Sequence, residues 1–174
     1  MSSAELALRI PVVVGPTGMV LHDTHLYSMD PSAIGISGTL FLYRDRVRIV
    51  AGRYQSSHER LFESGAKSVL SEHRAAMVAA VSGKRSKRYY KREQLLGLGP
   101  VAYEYLTEVV HRRRDRWIGD VDDLFDMLEF HGEGLLRIAI GRALDERLFG
   151  AEYVRHFIEQ LLMGAASRPR ELLS

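Results

Sequence analysis

The chain predicts an α+β protein: a small N-terminal antiparallel β-barrel followed by a C-terminal helical module. Three observations predict it. Residues 9–60 hold five or six short β-prone segments punctuated by Gly, Pro and Asp, the pattern of a small barrel or curled sheet. Beyond Ser71 the apolar residues recur at helical spacing. Between and after these stretches the cations gather in clusters, although the formal net charge is only +2.

Ile10-Pro11-Val12-Val13-Val14 reads as a strand, with Pro11 placing it at an edge or in its first turn. Gly15-Pro16-Thr17-Gly18 is a turn, Met19-Val20-Leu21 begins a second strand, and His22-Asp23-Thr24-His25 reads as a polar hairpin or bulge before Leu26-Tyr27. The stretch from Tyr27 to Arg60 organises the chain as strand, turn, strand, tight turn, strand, bend, strand. Thr39 to Tyr43 are β-formers, Arg44-Asp45-Arg46 reverses the chain, and Val47 to Ala51 returns. Alternation puts Val47 and Ile49 on a core side and Arg46, Arg48 and Val50 on the other, leaving that other face wet and positive.

His58 to Val69 reads as a connector broken at Gly65. Ser71 can cap a helix that runs to Val81 or Ser82 and stops at Gly83. The run Lys84 to Arg92 reads as a flexible basic arm. Pro100 fits the first turn of a helix with Ala102, Tyr105, Leu106, Val109 and Val110 on its buried stripe. Trp117-Ile118-Gly119 is read as a link, and Asp120 as the cap of a helix with Leu124, Phe125 and Leu128 inward. Gly132 and Gly134 break it, and helices over 138–148 and 153–162 complete the chain. The organisation expected is a barrel at 9–60, a linker, helix and basic arm at 61–99, and a helical module at 100–163.

Composition narrows the function classes. With 46% hydrophobic and 26% charged residues, a folded core is expected rather than disorder. The absence of cysteine excludes disulfides and thiolate zinc sites. No apolar run approaches the roughly 18–20 residues that cross a bilayer, and MSSAELALRIPVVV is not read as a signal peptide. The expectation is a cytoplasmic protein with no membrane partner.

Lys84, Arg85, Lys87, Arg88, Lys91 and Arg92 place six cations in nine positions with Tyr89 and Tyr90 among them. Such a run suits contact with a nucleic-acid backbone, the tyrosines stacking or bonding phosphate; the plain alternative is a solvated linker. Arg112, Arg113, Arg114, Arg116 and Trp117 form a second cluster, read as a helix end with a core anchor. His22, Asp23 and His25 have the chemistry of metal ligands but no recognised spacing, so a polar turn is the preferred reading and no metal is expected. The acids Asp120, Asp122, Asp123, Asp126 and Glu129 are read as helix capping and a partner-facing surface rather than a two-metal cluster. The remaining histidines, among them His58 and His73, show no partners in sequence. No phosphate loop, nucleophile elbow or dinucleotide fingerprint occurs, so no cofactor is expected.

The order of features resembles the C-terminal region of IstA-type insertion-sequence transposases, in the Mu-like group of the retroviral-integrase superfamily. The residues that carry the resemblance are Tyr27-Ser28 before Pro31, Ile34-Gly35, Val47-Arg48-Ile49, Gly52, His58, Arg60, and Glu72-His73-Arg74, with the Leu135–Ala143 and Tyr153–Leu162 stretches after them. In such proteins three carboxylates of an RNase H-like core upstream of the barrel do the chemistry, and none can be carried onto this chain. The resemblance implies a non-catalytic module that binds double-stranded DNA and engages other transposase subunits and an AAA+ helper ATPase. On that reading Arg44, Arg46, Arg48 and Arg53 are candidate phosphate contacts beside the basic run.

Overall fold

The computed structural model describes residues 6–80 and 84–167, without the side chains of residues 80, 84–88 and 165–167. The expected α+β class holds: seven strands precede six helices among these residues. They form two compact units, Met1–Tyr89 and Tyr90–Ser174.

In the first unit, β1 (Leu8–Val13), β4 (Ser37–Leu42), β5 (Arg46–Ala51) and β6 (Tyr54–Glu59) form an antiparallel sheet in the order β1-β4-β5-β6. A second sheet joins β2 (Met19–His22), β3 (His25–Ser28) and the two-residue β7 (Lys67–Ser68), the last pairing parallel to β3. The closed barrel expected from the run of short strands is therefore not what the described residues show. Between the sheets the chain leaves both ladders, at the turn after Val13 and at a 3₁₀ turn over Pro31–Ala33. Local bonds replace the ladders there: Val14 donates to the Ile36 carbonyl, Gly35 to Val14, and Met29 to Gly18.

One core fills the space under both sheets. Val20, Tyr27 and Met29 meet Leu40, Val47, Ile49 and Ala51, all but fully buried. The alternation in β5 is clean: Val47, Ile49 and Ala51 point in, while Arg46 and Arg48 point to solvent. Gly38 is where β4 comes closest to β5, since a Cβ there would lie 2.1 Å from the Val50 carbonyl oxygen. The helix α1 (Ser71–Ala80) packs on the 3₁₀ turn, with the methyl of Met77 against Gly18. The expected end of this helix, at residues 81–83, lies outside the described residues.

The boundary between the units falls inside α2 (Lys84–Leu96). This corrects the expectation of a flexible basic arm. Lys, Arg, Gln, Glu and Leu are all good helix formers, and no Gly or Pro interrupts residues 84–96. The second unit continues with α3 (Pro100–Arg112), α4 (Trp117–His131), α5 (Glu133–Asp145) and α6 (Ala151–Ser167). Leu106 and Val109 of α3, Leu124 of α4, Leu136 and Ile140 of α5 and Val154 and Ile158 of α6 share one core.

Pro100 opens α3 as expected, and Gly132, at φ 87°, separates α4 from α5. Other expectations change. Gly134, read as a break, lies inside α5, which spans Glu133–Asp145 rather than 138–148. Trp117-Ile118-Gly119 is the first turn of α4 rather than a link, with Arg116 at the N-cap. Asp120 lies inside that helix and is buried. Its carboxylate accepts from the Arg113 guanidinium at 2.8 Å and from the Ala151 backbone N–H at 3.0 Å. Asp120 thus serves the start of α6 and the end of α3 instead of capping its own helix. Arg113 also meets Glu152 at 2.8 Å. Burial works against its charge, but the two carboxylates outweigh that and raise its pKa. Tyr105 closes the same region, accepting from the Gly150 N–H at 2.9 Å with its hydroxyl 2.7 Å from the Leu148 carbonyl oxygen. Among the described residues no helix is long and apolar enough to cross a membrane.

Candidate nucleic-acid interface

The outer face of the four-stranded sheet carries Arg46 and Arg48, and the turns that flank β5 carry Arg44 and Arg53. Arg48 points out because its neighbours Val47 and Ile49 take the core side. Its guanidinium donates to the Gln55 side-chain oxygen at 2.9 Å on the next strand and lies 6.0 Å from the Phe41 ring centroid. Arg46 lies over the Tyr43 ring at 4.2 Å and sits in register with Glu59 of β6. Arg53 follows Gly52, whose φ of 58° makes the β5–β6 turn. Its guanidinium lies over Tyr54 at 5.2 Å and donates to the Tyr54 hydroxyl at 3.1 Å. Arg44 is exposed in the β4–β5 turn. The groups that hydrogen-bond Arg48 and Arg53 are neutral, although Asp30 lies near enough to Arg53 to favour its charge.

The basic run is divided. Lys84, Arg85, Lys87 and Arg88 lie in α2, their side chains outside the described residues. Tyr89 is half-buried. Lys91 and Arg92 are engaged within the helical unit. The Lys91 ammonium meets Asp122 at 3.2 Å and lies over the Phe125 ring at 5.6 Å, while Arg92 stacks on Trp117 at 4.6 Å. In the later cluster Arg112 is bound to Glu108 one turn earlier and Arg113 to Asp120 and Glu152, while Arg114 and Arg116 are exposed.

His22 and His25 face each other across the β2–β3 hairpin, whose turn has Asp23 at φ 57°. Among the described residues, no three His, Asp or Glu side chains converge to hold a metal ion.

Sequence reasoning missed a polar cluster inside the first unit. His58 and His73 are buried, their ring centroids 6.5 Å apart. His58 Nε2 lies 2.9 Å from the Ser28 carbonyl oxygen, and its Nδ1 lies 2.7 Å from the Ser68 hydroxyl. A carbonyl only accepts, so Nε2 carries the proton and Nδ1 accepts from Ser68. Ser28 Oγ accepts the Leu70 N–H at 2.9 Å and lies within hydrogen-bond distance, 2.7 Å, of His73 Nδ1. Ser56 completes the cluster beside Met29 and the Ser28 carbonyl. Burial lowers the His58 pKa and the nearby His73 does so too, while the Ser28 carbonyl opposes them. Ser28 is 1% exposed, so its pairing with His73 is a clasp between β3 and α1 that no substrate reaches. The signal was in the alternation: Ser56 and His58 fall opposite Ile49 and Val47 on the core face.

Comparison with protein-family models, curated proteins and solved structures finds no match for this chain.

Proposed function

We propose that this chain is a DNA-binding and assembly module of a DDE-type insertion-sequence transposase, non-catalytic in itself and acting in the cytoplasm. On this reading the sheet unit is the counterpart of the small barrel of such enzymes and lies against the backbone of double-stranded DNA. The helical unit engages other transposase subunits and the AAA+ helper ATPase. The observation that carries the proposal is the outward pair Arg46 and Arg48 on β5 with Arg44 and Arg53 in its flanking turns, Arg48 being held by the neutral Gln55 and Arg53 by the Tyr54 hydroxyl. Guanidiniums fixed by neutral partners keep their charge available for phosphate. Such contacts orient a protein on a duplex without reading its sequence, so weak sequence preference is expected. The residues behind the family resemblance are mostly structural here. Tyr27, His58 and His73 are buried, and Gly35 and Gly52 sit at positive φ, so the likeness speaks to a common scaffold.

The test is fluorescence anisotropy with a mixed-sequence duplex across a salt series. Four phosphate contacts give a slope of log K against log salt of about −3.6, and Arg44, Arg46, Arg48 and Arg53 each changed to Ala should reduce its magnitude by about 0.9. Binding that ignores salt, or no binding at low salt, overturns the proposal.

A second reading, a protein-interaction domain without direct DNA binding, is favoured by α4, where Asp123, Asp126 and Phe130 are exposed along one helical stripe. The same titration separates the two.

A further inference from the structure

The outer sheet face has a feature that duplex binding does not require. Arg9 on β1, Phe41 on β4 and Arg48 on β5 lie side by side in register. Phe41 is half-buried and points away from the core, which its neighbours Leu40 and Leu42 occupy. The guanidiniums of Arg9 and Arg48 bracket its ring from the two flanking strands, 5.8 and 6.0 Å from the centroid. Gln55 on the fourth strand holds Arg48 in that position. A second cation–ring pair stands at the end of β5, where Arg46 lies over Tyr43, while the Arg53–Tyr54 pair belongs to the core side, Tyr54 being opposite Ala51 and packed on the core. Glu59, at the end of β6, is the one acid on the outward strand positions of this sheet.

A duplex keeps its bases stacked on one another and so presents phosphates and base edges but no free base face for a ring to stack on. An unpaired strand offers phosphates and π faces together, and the proteins that hold it combine cations with aromatic rings on which bases stack. Adjacent strands are roughly 4.8 Å apart, so Arg9 and Arg48 stand on either side of Phe41 as two ordered cations around one aromatic surface. We propose that this face is a platform for single-stranded nucleic acid, with Phe41 stacking an unpaired base and Arg9 and Arg48 holding the phosphates beside it. The proposal rests on reading the sheet unit as a nucleic-acid binder, and adds a preference for unpaired strands.

The test uses the full chain and a fluorescein-labelled oligothymidylate of roughly 16 nucleotides, set beside a labelled duplex at the same salt. Phe41→Ala should weaken binding of the single strand by at least about five-fold and leave duplex affinity unchanged. Phe41→Trp should retain the affinity, and its added indole emission should be quenched as the strand binds. Single-strand binding that ignores Phe41→Ala, or equal losses on both nucleic acids, overturns the platform. If duplex binding follows salt while single-strand binding ignores Phe41, the platform falls and duplex recognition stands. If no duplex binding appears at low salt while Phe41→Ala still abolishes single-strand binding, the duplex reading falls and the platform stands.

Discussion

His58 is kept toward the neutral imidazole chiefly by its burial. Its Nε2–H is committed to the Ser28 carbonyl and its Nδ1 to the Ser68 hydroxyl, while His73 on α1 and the Tyr27 ring on β3 face it. Burial lowers its pKa below the ordinary value of 6.5. The unfolded chain then takes up this proton at higher pH than the folded one. The stabilisation is complete above about pH 6.5 and is lost as pH falls through the lower, folded value. Urea unfolding of the sheet unit, followed by far-UV circular dichroism, should show a midpoint that drops between about pH 7 and 5. In His58→Gln the drop should flatten, and stability at neutral pH should fall by about 1–3 kcal/mol because buried partners lose their bonds. An unchanged pH profile in that variant would remove His58 from this role. The cluster was hard to foresee because its members are spread over Ser28, Ser56, His58, Ser68 and His73. Only the strand register brings them together, and a serine or histidine in a core phase looks in sequence like a surface residue.

At the scale of elements, most of the strands and the limits of α3 were legible because they rest on local chemistry. Pro100 presets the first turn of α3, and Gly132 takes a backbone angle that ends α4. What was illegible depends on tertiary partners. Asp120 has the residue type of a cap, yet its carboxylate is drawn to Arg113 and Ala151, so α4 begins earlier than capping rules suggest. The strand β7 consists of Lys67 and Ser68 alone, too short for any alternation, and is fixed by its pairing with Leu26 and Tyr27. The basic run looks like an arm by charge and is a helix by propensity. Gly38 tests the β4–β5 contact directly. A Cβ there would meet backbone, 2.1 Å from the Val50 oxygen and 2.8 Å from the Ala51 Cα, and backbone cannot swing aside as a side chain can. Gly38→Ala should destabilise the sheet unit toward the upper end of the roughly 1–3 kcal/mol typical of overpacking. A urea midpoint that does not move would mean that the two strands separate freely there.

For the whole molecule, the division into units at Tyr89 and Tyr90 has a direct optical handle. The sole tryptophan, Trp117, belongs to the helical unit, where it packs against that unit's core. Its fluorescence reports the helices, whereas circular dichroism reports both units. The helical unit depends on the Arg113–Asp120 pair, whose side chains are 18% and 5% exposed. Removing the Asp120 carboxylate leaves Arg113 with Glu152 as its remaining acid and deprives the buried Ala151 N–H of its acceptor, at about 1–3 kcal/mol. Asp120→Ala should therefore lower the fluorescence-monitored urea midpoint sharply. Gly38→Ala should leave that midpoint in place while moving the dichroism transition. If Gly38→Ala shifts both signals together, the units unfold as one. The same pair of variants bears on the interface, because its arginines lie on the sheet unit alone. Under conditions where both variants stay folded, Asp120→Ala should bind duplex DNA as the parent chain does, with the same salt slope. A flattened slope in that variant would move part of the DNA contact onto the helices, and the charged segment of α2 would then be the place to look for it.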